Sequence, residues 1–561
     1  MVHQYKLNGY NVVIDVYSGA IHVVDDVAYD IIRLFCEKNG LNAECDWKPE
    51  LGEVKDEILR RAKAGEYDNQ SLQSEECSGT DVQFEERALR SNEDLFVCEV
   101  EECYKDILEL IDEGKLFSED EFRPNAGVLK NRHSDIKALC LHVSHACDLT
   151  CSYCFAGQGK FNGPSALMSI DVAKRAIDFL VENSGARKNL EVDFFGGEPL
   201  LNFDVVKETV AYARSIEDSA GKKFRFTLTT NGMGIDDDVI DFANRECHNV
   251  VLSLDGRKEV HDRERRAAGG MVDGKKIDRG SGSYDIIVPK FQKLVHARTG
   301  ECEGAEEVPE GIAKGFDTGN TNYYIRGTFT HYNPDFTNDL YHMVDLGFTE
   351  LSMEPVVCDT ESRFALTEED MPILLEEYEK LAVEMTRRER AAANSGEHEM
   401  VTEGSDALSP DIRNMPFTFY HYMLDLGHGP CIYKRISGCG SGTEYFAVTP
   451  KGELYPCHQF VGDEKYLMGD IWNGISENKA DGAIKSGIEI RGEFKMCNVY
   501  AREECEDCWA KLYCSGGCAA NAYHATGDIL GVYDYGCRLF KKRIECAIMM
   551  KVAQAEGAGE E

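Results

Sequence analysis

The chain has 561 residues, is 43% hydrophobic, and carries 61 basic against 100 acidic side chains for a net charge of −39. That length allows two to four domains, and a field of that sign repels phosphates, which excludes a nucleic-acid partner. No apolar run approaches the roughly 20 residues needed to cross a bilayer, and the opening Met1-Val2-His3-Gln4-Tyr5-Lys6 lacks a signal-peptide pattern. A cytoplasmic protein with no membrane partner is expected, and its 22 cysteines then point to metal or clusters rather than disulfides.

The first 36 residues are β-rich. Leu7-Asn8-Gly9-Tyr10 carries a turn signal, Val12-Val13-Ile14-Asp15-Val16 reads as a strand, and Ser18-Gly19 turns the chain into Ala20-Ile21-His22-Val23-Val24. Asp25 and Asp26 can cap a helix with Ala28, Ile31, Ile32 and Phe35 on one face. Further helices are expected at 50–64 and 100–113. Residues 66–102 hold twelve acidic residues against two arginines, a composition that cannot bury a core. Polar stretches recur at 263–283, 300–320 and 388–412. All four are expected to be surface insertions without chemistry.

From about residue 135 strand and helix alternate. Strands are expected at 137–144, 190–195, 224–230, 249–254, 322–330 and 349–355, with helices at 171–183, 203–215, 236–245, 284–297 and 335–346. Such alternation implies parallel strands, and six of them make a partial barrel whose chemistry gathers at the strands' carboxyl ends. The expected fold class is α/β: a partial (β/α)6 TIM-type barrel over 135–365, linker helices with a polar insertion over 366–425, and a cysteine-rich region over 426–561.

The motifs fall where that barrel places chemistry. Cys147-x3-Cys151-x2-Cys154 follows the first strand. Three thiolates hold three irons of a four-iron cluster and leave the fourth open to a small ligand, whereas zinc prefers four ligands in paired spacings. The second strand ends in Phe195-Gly196-Gly197-Glu198-Pro199. Its glycines let the backbone approach a ligand, and Glu198 can accept a hydrogen bond from an ammonium group. Thr229-Thr230-Asn231-Gly232 ends the third strand and Ser253-Leu254-Asp255-Gly256 the fourth. Arg326 lies on the fifth, and Glu354-Pro355 closes the sixth. Beyond 426 come Cys431, Cys439, Gly452-x4-Cys457, Cys505-x2-Cys508-x5-Cys514-x3-Cys518 and Cys537. The Cys505-x2-Cys508 pair alone also fits a zinc ribbon, and with it a non-enzymatic zinc regulator.

The triplet, with Gly-Gly-Glu-Pro one strand later, resembles the radical S-adenosylmethionine (SAM) enzymes, and the C-terminal array resembles their SPASM extension. The resemblance implies SAM and three [4Fe–4S] clusters, one SAM-binding and two auxiliary. Cys147, Cys151 and Cys154 would hold the first. Gly196, Gly197 and Glu198 would meet the SAM amino group, with Ser253 and Arg326 on its carboxylate, where a guanidinium can bond as a fork. Cys505, Cys508, Cys514 and Cys537 would hold one auxiliary cluster. Cys439, Cys457 and Cys518 would hold the other, with Cys431 or a substrate thiolate in its fourth position.

Four further stretches, Tyr5–Tyr10, Ala146–Cys151, Phe155–Gly159 and Tyr455–Phe460, are similar to the maturases of SCIFF peptides, which form cysteine thioether cross-links. That implies a precursor peptide with a leader and a low-potential electron donor such as flavodoxin or ferredoxin. Residues 1–120, interrupted by the acidic insertion at about 66–102, would be a winged-helix-like recognition module that takes the leader as an added strand. The same pattern also fits a cap packed on the barrel. Anaerobic sulfatase maturases share the array but place an acidic residue directly after the cysteine matching Cys457, where this chain has His458.

Overall fold

In the computed structural model of the protein, which describes residues 1–39, 48–67, 92–126, 135–300, 309–396, 414–426, 431–479 and 484–559, strands β1 (Val2–Leu7), β2 (Tyr10–Asp15) and β3 (Ile21–Val24) form an antiparallel sheet in that order. Asn8 and Gly9 both adopt positive φ, 50° and 83°, as a two-residue hairpin turn requires. Helices α1 (Asp26–Asn39), α2 (Leu51–Lys63) and α3 (Asn92–Asp112) accompany the sheet. Val13, Ile31, Ile32, Phe35, Val54, Ile58, Phe96 and Val100 share one buried core. Phe96 and Val100 correct the reading of residues 66–102 as an insertion. From Asn92 the stretch is helical, and a spacing of four puts both apolar side chains on one face. Residues 68–91 of it lie outside the described residues.

This first unit comprises residues 1–127, 503–513 and 544–561. Lys511, almost wholly buried, reaches Tyr17 Oη at 3.0 Å and Asp120 at 3.3 Å, and Trp509 stacks on His3 with ring centroids 3.8 Å apart. The last helix, Asp534–Gly559, contributes Glu545, whose carboxylate lies 3.0 Å from His3.

The second unit comprises residues 128–502 and 514–543. Its sheet runs through β4 (Ala138–Ser144), β5 (Asn189–Gly196), β6 (Lys223–Thr230) and β7 (Cys247–Ser253), all parallel neighbours. A small hairpin, β8 (Gly270–Val272) and β9 (Lys275–Ile277), stands apart. The parallel series continues with β10 (Asn322–Phe329), β11 (Glu350–Pro355) and the short β12 (Thr418–Phe419). The six expected strands are therefore present and adjacent in chain order. Helices α4 (Ile170–Glu182), α5 (Phe203–Ala220), α6 (Asp237–Glu246), α7 (Lys258–Glu264), α8 (Tyr284–Thr299) and α9 (Phe336–Asp345) connect them. This is an α/β fold with a mostly parallel sheet.

The sheet extends beyond the six strands. β13 (Tyr445–Val448) pairs parallel with β4, and β14 (Glu453–Tyr455), β15 (Gly469–Asp470) and β16 (Gly474–Ile475) follow antiparallel. The segment around Cys457 is thereby carried on the same sheet as the cysteine triplet. The supposed insertion 263–283 is also corrected, because its first residues pair with the cysteine loop: Thr150 N donates to Arg266 O at 2.7 Å and Ala268 N to Asp148 O at 2.8 Å. In 300–320 a helical turn forms at Gly315–Thr318, and 301–308 lies outside the described residues. In 388–412 a long helix, Asp370–Gly396, continues before residues 397–413, which also lie outside them. Among the described residues no helix is long and apolar enough to cross a membrane.

Candidate active site

β4 leads directly into the cysteine loop, and the glycine pair ending β5 lies against that junction. Gly197 N donates to Ser144 O at 2.8 Å and Glu198 N to Ala146 O at 2.9 Å. Gly196 sits at φ 125°, and a Cβ on either glycine would collide with the carbonyl oxygens of Ser144 and Ala146. Only glycine permits this approach. As a result Cys147, Cys151 and Cys154 line one cavity of about 240 Å³ together with Gly196, Gly197, Glu198, Ser253 and Arg326. Ser253 and Arg326 are direct register partners on β7 and β10.

Glu198 is buried, and its carboxylate accepts three hydrogen bonds. Oε1 accepts from Thr230 Oγ1 at 2.8 Å and from Leu200 N at 3.0 Å, and Oε2 accepts from Asn231 N at 2.8 Å. Burial, followed by the neighbouring Asp148 carboxylate, pushes it up to about 8. Asn231 Nδ2 donates to Asp148 Oδ1 at 2.7 Å and lies 3.6 Å from Cys147 Sγ, which also accepts from Leu149 N at 3.4 Å.

The donor set suits a cluster. Burial raises the Cys147 thiol well above its ordinary value and pushes Cys151 up to about 12, so these thiols stay protonated until a metal displaces their protons. Among the described residues no three His, Cys, Asp or Glu side chains converge tightly enough to hold a single ion. The triplet instead stands around a cavity, as befits thiolates that each take a different iron of one cluster.

The opposite wall is ionic and aromatic. Arg326 Nη2 lies 3.4 Å and His421 Nε2 3.1 Å from Glu354 Oε1. Burial pushes the Glu354 carboxyl upward, but the hydrogen bond from His421 and the charges of Arg326 and Arg543 hold the group below the usual range, while burial also lowers His421 itself. His458 faces the cavity with its ring 5.0 Å from Phe195 and 5.7 Å from Phe155. Burial, then Arg326, lowers it to about 4, so it is a neutral imidazole near pH 7. Gln459 lines the same cavity.

The C-terminal cysteines divide between the units: Cys505 and Cys508 belong to the first, and Cys439, Cys457, Cys514, Cys518 and Cys537 to the second. Burial and then the charges of Cys518 and Cys439 raise the Cys457 thiol, so these three share one neighbourhood. Cys431 is exposed. Cys497, which stands in none of these spacings, also feels Cys439, but its thiol already faces the carbonyls of Glu493 and Ile529 at 3.8 Å. Sequence reasoning missed Arg265 and Tyr153. Arg265 is enclosed beside the cavity, with Nε and Nη2 on Asp255 at 2.9 and 3.0 Å, and Tyr153 Oη donates to Asp255 at 2.5 Å. A buried acid ending a strand demands a cation, and the basic run Arg263–Arg266 was the available signal.

Residues 141–272 match the radical SAM superfamily. The chain is 22% identical over 422 residues to the cysteine-type anaerobic sulfatase-maturating enzyme of Clostridium perfringens (strain 13 / Type A), covering 72% of this chain and 94% of that protein. With the radical SAM cyclopropyl synthase TigE of Paramaledivibacter caminithermalis it shares 26% identity over 137 residues, 22% of this chain. It spans only 28% of the length of TigE and 41% and 59% of two other curated relatives that it matches. The solved structure of native anSMEcpe with bound AdoMet shares its fold, with a TM-score of 0.52 at 20% identity over 75% of this chain and 99% of that one. A sheet that carries three cysteines and a Gly-Gly-Glu turn to one cavity lies within this matching domain, and radical SAM domains as a class use SAM and a [4Fe–4S] cluster. Residues 141–272 are thus a radical SAM domain, in a chain that is similar over 72% of its length to a sulfatase-maturating enzyme.

Proposed function

We propose that this enzyme is a peptide maturase forming thioether, sulfur-to-carbon, cross-links in a ribosomally made, cysteine-rich precursor of the SCIFF type. The observation that carries the reading is a single cavity bounded by the cysteine triplet and by the two residues that follow Cys457. The triplet lines one wall, and His458 and Gln459, directly after Cys457, line another. When bound, the cluster supplies an electron to SAM and so a 5′-deoxyadenosyl radical able to take hydrogen from an unactivated carbon.

The chain's own residues do the rest. Cys147, Cys151 and Cys154 provide the thiolates. The Gly196-Gly197-Glu198 turn is offered to the SAM ammonium, and Ser253 with Arg326 to its carboxylate. His458 and Gln459 face the space left for the substrate peptide. Cys439, Cys457 and Cys518 are offered to one auxiliary cluster, whose fourth position a substrate thiolate would take. The other auxiliary set, Cys505, Cys508, Cys514 and Cys537, rests on resemblance alone. The precursor's leader would add to β3, which among the described residues pairs with β2 on one side only, and the electron would come from a flavodoxin or ferredoxin.

A second reading, a sulfatase-maturase-like peptide oxidoreductase, is favoured by the alignment over 72% of the chain. Anaerobic incubation with SAM, a reductant and a cysteine-rich precursor separates the two. A thioether removes two hydrogens per cross-link, keeps the sulfur and blocks one thiol to alkylation. A product that has lost sulfur, or deoxyadenosine formed with the peptide unchanged, would overturn the thioether reading.

A further inference from the structure

The cysteine loop is held from outside the barrel strands. Residues 148–152 run antiparallel to residues 264–268. Ala268 N donates to Asp148 O (2.8 Å), Thr150 N to Arg266 O (2.7 Å) and Ser152 N to Glu264 O (3.1 Å), and Leu149 bridges Ala267. Strand pairing alternates side chains between two faces, and the alternation is kept. Leu149, Cys151, Tyr153 and Arg265 line the SAM-side cavity, whereas Thr150, Ser152, Glu264 and Arg266 line a separate groove.

On the cavity side the pairing ends in a closed ion pair. Asp255 is 1% exposed. Its carboxylate takes two bonds from Arg265 (2.9 and 3.0 Å), one from Tyr153 Oη (2.5 Å) and one from Thr328 N (2.9 Å). The guanidinium stands 5.6 Å from the centre of the Tyr153 ring, on the residue between Cys151 and Cys154. Ser283 Oγ donates to Arg265 O at 2.7 Å and lies 2.9 Å from His261 Nε2, so the strap is pinned from behind. A neutralised pair in so dry a place leaves no net charge. Removing either partner would leave the other uncompensated and poorly screened.

We propose that the 264–268 strap and its Asp255–Arg265 pair, with Tyr153, are positioning residues that fix the cysteine loop and set the charge beside its cluster, and so its reduction potential. Cluster potentials follow the net charge, hydrogen bonding and solvent exposure around them. The inference rests on the radical SAM class and not on the thioether reading, so failure of the latter leaves it standing.

The test is the midpoint potential of the SAM-binding cluster, read by electron paramagnetic resonance on protein in which only that cluster is being reduced. Asp255→Asn leaves a bare guanidinium and should shift the potential upward. Arg265→Gln leaves a bare carboxylate and should shift it downward. Arg265→Lys keeps the charge and should stay near the wild type. Shifts of the same sign in Asp255→Asn and Arg265→Gln, or an Arg265→Lys shift as large as that of Arg265→Gln, would overturn the charge role. Should the variants fail to assemble the cluster, hydrogen exchange on metal-free protein decides. Tyr153→Phe and Asp255→Asn should both lose protection at the amides of Thr150 and Ser152, and unchanged protection in both would overturn the strap.

Discussion

Asp193 shows how a single side chain in the barrel reports on the fold. On β5 the residues Leu190, Val192 and Phe194 are buried on one face, so Asp193 shares the other face with Phe195, which lines the cavity. Burial, then the charge of Glu191, pushes its carboxyl up to about 7. The folded state therefore binds this proton more tightly than the unfolded chain does. Stability from this group is fully present below the unfolded value near 4 and is lost as pH rises through about 7. Above that the cost is on the order of a few kcal/mol. Asp193→Asn should accordingly gain stability over the wild type at pH 8 and match it at pH 4, as read by denaturant midpoints at both values. A gap of equal size at both pH values would show that packing, not ionisation, governs the site. The placement of Asp193 was not legible beforehand, because strand alternation says that it faces one side without saying how dry that side is.

Elements were more legible than the contacts between them. The six barrel strands follow from runs such as Leu190–Phe195 separated by amphipathic helices, because both patterns are local. The cysteine spacing and the Gly-Gly-Glu turn were equally plain. What a local pattern cannot carry is pairing between distant segments. The strap at 264–268 read as a polar insertion because its role lies in backbone bonds to residues more than a hundred positions earlier. Residues 92–102 read as an acidic loop because the two apolar positions that anchor α3 are diluted by charge. The N-terminal sheet poses the same problem as a test of leader binding. Deleting residues 1–36 would strip Val13, Ile31, Ile32 and Phe35 from a shared core, so the change must be local. Val23 on β3 is 47% exposed, and proline there removes an edge donor while being tolerated at an edge. Val23→Pro should weaken binding of a full precursor roughly tenfold by removing main-chain bonds to the added strand, with SAM cleavage in the absence of peptide unchanged. Equal affinity in calorimetric titrations of both proteins would make the sheet a cap and nothing more.

For the molecule as a whole, the number of irons it holds links the cysteine pattern to function. Three four-iron clusters require about twelve irons per chain, whereas a zinc regulator requires none. Replacing Cys147, Cys151 and Cys154 together by alanine should leave about eight, because the remaining two ligand sets are untouched. Cys457→Ala should also leave about eight, since Cys457 is buried in the neighbourhood it shares with Cys439 and Cys518. Cys431 stands exposed at the start of a short helix, and Cys497 already has two carbonyl acceptors. If a substrate thiolate takes the fourth position, neither Cys431→Ala nor Cys497→Ala should change the count, and the wild-type auxiliary spectrum should respond to a cysteine-containing peptide more than to its serine analogue. Iron and acid-labile sulfide analysis of anaerobically purified variants, with Mössbauer spectra to assign the clusters, measures each case. If Cys431→Ala or Cys497→Ala loses about four irons, the fourth position is closed by that protein thiolate at rest. A substrate thiolate would then have to displace it or react away from the iron, and direct coordination would fall as the basis of the cross-linking step.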